Sequence, residues 1–164
     1  VLELLVVIVI IAILVTLLVM GLSSMPARAQ RAQCTANLRS LYVATESYIQ
    51  QNGSWPQIAI TDDESDAAEQ DYARAWITAL KPFGLSEKSW ICPTIQNLLQ
   101  NPDYMKPENA RVDYIATPFD DKPMSPHQWP KQPWFIEAGD PHGNGNLMIF
   151  TDGSVSDLET AKRQ

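Results

Sequence analysis

The chain has 164 residues, with 12 basic against 19 acidic side chains and two cysteines, for a net charge of −7. That length supports one modest globular domain. The acid excess argues against unaided nucleic-acid binding, because the phosphate backbone selects for Lys and Arg. The charge is also uneven: through Gln57 the net is +1, and beyond it the net is −8.

The first stretch is apolar. From Leu4 to Leu22 nothing is charged, only Thr16 is polar, and Gly21 is a break. As one helix this run would be roughly 28 Å long, close to the hydrocarbon thickness of a bilayer. Glu3 lies just outside it, and a carboxylate there is costly to bury without a partner. A cleaved signal peptide fits poorly, for want of a basic start and a small-x-small cleavage site. Two readings stay open: a plain membrane anchor, and a helix that rests in the membrane until it packs against copies of itself.

Gly21 to Pro26 is the expected break, since proline removes a backbone donor and disfavours helix just before it. From Ala27 to Gln51 a helix is predicted with one face made of Leu38, Leu41, Tyr42, Thr45, Tyr48 and Ile49, and with Cys34 one turn earlier on that face. Arg28, Arg31 and Arg39 point elsewhere, towards acids of neighbouring subunits, lipid headgroups or solvent. Gly53 and Pro56 end the helix, and Trp55 reads as a packing plug beneath it.

The acidic run Thr61 to Asp71 is read as the cap and first turn of a helix continuing to about Leu80, rather than as a calcium loop, because it lacks a glycine-centred ligand spacing. Cys34 and Cys92 are compatible with one disulfide or with two separate buried thiols. The proline-rich stretch Thr94 to Pro133 reads as ordered loop, with Val112 to Ala116 the best strand candidate. Trp134 to Ala138 and Leu147 to Phe150 form a predicted hairpin, followed by a turn at Asp152-Gly153 into a last short strand or helix. His142 and Asp152 are expected to face each other across the hairpin base; metal binding and catalysis are the alternatives, the latter without any nucleophile motif.

The string Val1-Leu-Glu-Leu-Leu-Val-Val-Ile-Val-Ile-Ile-Ala-Ile-Leu14 resembles the N-terminus of type IV pilins and type II secretion pseudopilins. In that family a prepilin peptidase removes a basic leader, the new terminus is methylated, and a glutamate stands fifth; here it is third, which implies two further residues ahead of Val1. Tyr48, Asn52, Gly53, Trp55 and Pro56 are similar to the stem-to-head junction of the major pseudopilin. His142 and Asp152-Gly153 resemble the C-terminal H-X9-DG motif of prepilin-like proteins. The resemblance implies an α+β pilin-like fold, a long N-terminal hydrophobic helix packed on a small C-terminal antiparallel sheet in a loop-rich head. Its parts would be a filament-core or transmembrane segment (1–26), an amphipathic second half of the stem (27–52) and an acidic head (53–164). It implies assembly through Leu4, Leu5, Ile8, Ile11 and Leu14, with Glu3 pairing to a neighbour's terminal amine. It further implies a Cys34–Cys92 bridge and, weakly, a calcium site among Asp140, Asn144, Asn146 and Asp152. The function implied is a structural, non-enzymatic subunit of an extracellular pilus-like filament, or alternatively of a secretion pseudopilus, or less so a bitopic surface protein. The partners implied are identical subunits, the processing peptidase and methylase, the assembly machinery and the inner membrane.

Overall fold

A computed structural model describes residues 6–15, 25–60, 65–100 and 109–163. Helix α1 covers residues 6–15. Helices α2 (Met25–Asn52), α3 (Asp66–Leu80) and the short α4 (Pro93–Leu99) precede the sheet. Strands β1 (Tyr114–Ala116), β2 (Pro133–Glu137), β3 (Leu147–Phe150) and β4 (Val155–Asp157) follow, and α5 (Leu158–Ala161) closes the described order. The four strands are antiparallel neighbours in chain order, a meander.

The α+β class and the antiparallel sheet agree with expectation, but the long apolar N-terminal helix does not. The described residues of the apolar helix, 6–15, account for about 15 Å of rise, roughly half a bilayer's hydrocarbon thickness. Among the described residues no helix is long and apolar enough to cross a membrane. The element that packs on the sheet is the amphipathic helix α2, where the second half of the stem (27–52) was expected, with Pro26 in its first turn where a missing N–H costs nothing. Hydropathy over residues 4–22 sums transfer free energies and carries no measure of helix length; among the described residues the apolar helix is seen over 6–15.

Helix α2 is rich in Ala, Gln and Arg, all good helix formers. Its buried face is Cys34, Asn37, Leu38, Leu41, Ala44, Thr45 and Ile49, the three-and-four spacing of one stripe. The stripe ends at Gly53, whose φ of +79° carries the chain out of the helix while its N–H donates to the Ile49 carbonyl at 2.8 Å. Trp55 then turns under the helix end and meets Phe119 at 4.8 Å and Trp134 at 5.2 Å between ring centroids. Trp76 from α3 and Trp90 complete an aromatic core against Phe135. Ser65 caps α3 by accepting from the Ala68 N–H, and Asp66 and Glu69 sit in its first turn, as the acidic run led one to expect.

The sheet closes back onto α2. In β1 Tyr114 and Ala116 face inward and Ile115 outward, the period-two pattern of a half-buried strand. Tyr42 of α2 donates to the Thr151 carbonyl at 2.9 Å, next to the turn that Gly153 makes at φ +75°. A Cβ at Gly153 would touch the Tyr42 ring at 3.4 Å, an ordinary contact, so it is the positive φ that calls for glycine here.

Asp157 links the two ends of this unit. Its Oδ1 accepts from the Thr160 N–H at 2.8 Å, capping α5, and Arg31 of α2 donates to its Oδ2 at 2.7 Å. Hydrogen bonds from Thr160 and then Arg31 hold its pKa down to about 2. Asp157→Ala is expected to cost about 0.5–2 kcal/mol, the range for a lost N-cap. A depressed folded pKa gives stability that is present above the ordinary carboxylate value and is lost as pH falls through about 2. Urea denaturation of both proteins at stepped pH should therefore show a constant gap above about pH 4 that closes towards pH 2. A gap that persists unchanged in acid would rule out the charge as its source.

Candidate functional site

Cys34 and Cys92 are joined in a disulfide with a Cα–Cα distance of 5.4 Å, and both are fully buried. Of the two arrangements the sequence allowed, the bridge is the one found. Cys92 stands just before α4, where Pro93 occupies the first helical position. The loop that carries it is held by two hydrogen bonds from its surroundings. Asn37 donates to the Ile91 carbonyl at 2.9 Å, and the Cys92 N–H donates to Asp113 Oδ2 at 2.8 Å. Arg111 clamps the same carboxylate with two bonds of 2.7 and 2.6 Å.

Against this bridge the hairpin brings two titratable groups. Glu137 ends β2 on the same face as Phe135 and is 0% exposed. His142 lies in the β2–β3 connection. There Asp140 Oδ1 accepts from the Gly143 N–H at 2.8 Å, and Asn146 donates to the Glu137 carbonyl at 2.9 Å. Gly145, at φ +79°, lets the loop pass Leu158, whose Cβ would stand 2.7 Å from any added side chain. The His142 Nε2 then rests 3.4 Å from Glu137 Oε1 and 3.9 Å from Cys92 Sγ. Neither Glu137 oxygen has a well-directed hydrogen bond.

Burial pushes the Glu137 pKa up to about 7, against the partial pull of the Leu147 backbone. Burial also lowers the His142 pKa, helped by the Arg31 charge. Both groups thus resist charging, and a carboxylic acid and an imidazole at this separation can hold one proton between them. Chemically the site offers two sulfurs, one imidazole and one carboxylate, with one candidate atom from each lying within 4.8 Å of the others.

The expected His142–Asp152 pair is not what the structure holds. Asp152 Oδ1 accepts from the Ser154 N–H at 2.9 Å, a local turn bond, while His142 turns inward to Glu137. The weak calcium candidates are not gathered either. Asp140 serves the Gly143 turn, Asn146 ties the hairpin, and Asn144 presents its amide oxygen to Arg31 at 3.3 Å once its amide is oriented to satisfy both ends. Sequence reasoning missed Glu137. Its signal was the strand alternation: a residue two after a core phenylalanine shares its face.

A second feature is the surface of α1. Every residue from 6 to 15 except Ala12 is Val, Ile or Leu. Of the expected assembly residues, Ile8, Ile11 and Leu14 lie here and are 56%, 53% and 60% exposed. Glu3, Leu4, Leu5 and Gly21 lie outside the described residues. Arg31 is engaged within its own chain by Asp157, whereas Arg28 and Arg39 are exposed. No family model, characterised protein or solved structure matches this chain.

Proposed function

We propose that this chain is a structural subunit that polymerises through α1 into a helical filament of the extracellular type IV pilus kind. The observation that carries the reading is the contrast between α1 and the rest. The head hides Trp55, Trp76, Trp90 and Trp134 to 2% exposure or less, yet α1 leaves an aliphatic surface open on every side. A helix that is apolar all round needs an apolar surrounding. Burying its remaining half-exposed side chains gains about 1 kcal/mol each, on the order of 10 kcal/mol per copy.

Copies of α1 packed together supply that surrounding, with the bilayer supplying it before assembly. The acidic heads then lie outside and keep separate filaments apart. Processing by a prepilin peptidase and handling by a pilus assembly machine belong to this reading. The Asn52–Pro56 junction favours, as a second reading, a short periplasmic pseudopilus of a secretion system.

The test is electron microscopy of filaments sheared from producing cells, with mass spectrometry of the subunit. Wild-type chain is expected in filaments, and Ile11→Lys is expected to abolish them while leaving near-ultraviolet circular dichroism of the head unchanged. Filaments formed by Ile11→Lys at wild-type yield would overturn the proposal. Processed subunits without surface filaments would replace the first reading by the second.

A further inference from the structure

The Cys34, Cys92, Glu137 and His142 cluster has two unexplained properties. It buries a carboxylate whose oxygens lack well-directed hydrogen bonds, a costly arrangement that native proteins seldom keep without reason. It also gathers four side chains of metal-ligand type from α2, the α4 entry, β2 and the hairpin loop around one point.

The spacing is informative. Tetrahedral zinc, with bonds of about 2.0 Å to nitrogen and oxygen and 2.3 Å to sulfur, sets ligand–ligand edges of roughly 3.3–3.8 Å. The His142 Nε2 to Glu137 Oε1 edge, 3.4 Å, falls inside that range, and the Cys92 Sγ to His142 Nε2 edge, 3.9 Å, lies just beyond its upper end. We propose that these four residues form a redox-gated zinc site: bridged and empty when oxidised, and a tetrahedral centre of two thiolates, one imidazole and one carboxylate once the disulfide is reduced.

The gate follows from sulfur chemistry. A bridged sulfur has no thiolate to offer, and the thiolate is the metal ligand. A dithiol reductant attacks one sulfur, forms a mixed disulfide and leaves as its own cyclic disulfide. Two electrons and two protons pass to Cys34 and Cys92. The divalent ion then displaces both thiol protons and the proton held between Glu137 and His142, three in all, and the sulfurs part to a zinc edge length. Two thiolates, one carboxylate and a neutral imidazole around the ion leave a net charge of −1, beside the Arg31–Asp157 ion pair.

Thiolate and imidazole ligands select zinc over calcium or magnesium. Because Cys34, Cys92 and Glu137 are buried, the His142 side chain is 5% exposed and the four supply all positions, the site is structural, with no open position for a substrate. It would hold α2, the α4 entry and the sheet together where no bridge exists, for instance before the chain meets an oxidising compartment.

The test uses the full chain in non-ionic detergent, reduced with a phosphine so that no competing thiol is added. Zinc retained after gel filtration is measured by elemental mass spectrometry, and cobalt(II) serves as a spectroscopic substitute. One zinc per reduced chain, none per oxidised chain and the intense visible bands of tetrahedral cobalt–thiolate are expected. Glu137→Gln and His142→Gln, reduced, should each bind roughly tenfold or more weakly, since even outer-shell losses cost that much. A reduced wild type that keeps its tryptophan circular dichroism but binds no zinc overturns the proposal. Equal zinc on oxidised chain, or undiminished affinity in both folded variants, overturns it as well. Should both variants unfold, the oxidised-against-reduced comparison of wild type decides alone.

Discussion

Trp55→Ala is expected to destabilise the protein by about 3–5 kcal/mol, the range for emptying a buried tryptophan site. Trp55 is 1% exposed and touches Trp76, Phe119, Trp134 and Phe135, each with ring centroids within 6 Å. Its neighbours come from α3, the loop before β2 and β2 itself, so no single element can relax into the hole. Edge-to-face ring contacts add about 0.5–1.5 kcal/mol each beyond area burial, which pushes the loss towards the upper end. The measurement is urea denaturation of the full chain in mild detergent, followed by far-ultraviolet circular dichroism. Trp129→Ala is the control, because Trp129 is 60% exposed and its removal should shift stability by no more than about 0.5 kcal/mol. If both variants unfold at the same urea concentration, the aromatic cluster is not the centre of this core.

The Cys34→Ala/Cys92→Ala double variant is expected to lose a comparable amount. The bridge spans 58 residues of sequence, and loop-closure entropy for that length gives about 4 kcal/mol at room temperature. The loop holds the whole of α3 and the chain up to the entry of α4, so the unbridged unfolded state regains freedom over a third of the molecule. Native contacts should survive, because Asn37, Asp113 and Arg111 hold the Cys92 loop independently of the sulfurs. The expected result is a lower urea midpoint with an increased slope, since a chain without the cross-link exposes more surface on unfolding. An unchanged midpoint would mean that the cross-link does not restrict the unfolded chain in the way loop closure requires.

Much of the head was legible because its signals are local. The Cys34 to Ile49 stripe, the Gly53 stop, the β2–β3 hairpin and the Gly153 turn each follow from periodicity or from one residue's backbone freedom. Two things were not legible. The partner of His142 was expected ten residues ahead at Asp152, yet it lies five behind at Glu137, because the loop glycines fold the imidazole inward rather than across the hairpin base. The meeting of that pair with Cys34 needs α2 and the sheet to pack first, a contact more than a hundred residues apart that no window along the chain contains. The apolar run misled in a different way. Its hydropathy was read as a helix long enough to span a bilayer, whereas among the described residues no helix is long and apolar enough to do so.

The staple between α2 and the α4 entry also has a mechanical side. Tension applied to the N-terminal end of α2 would act first on the Arg31–Asp157 ion pair, which can slip and re-form. It would next reach Cys34, only one turn further along, where the load passes into a covalent bond and from there into the Asp113–Arg111 clamp. Peeling α2 away from the sheet residue by residue is therefore blocked near its start. Under pulling, the head would yield by breaking as a whole rather than by unzipping, and a reduced molecule would unravel at a lower force than an oxidised one.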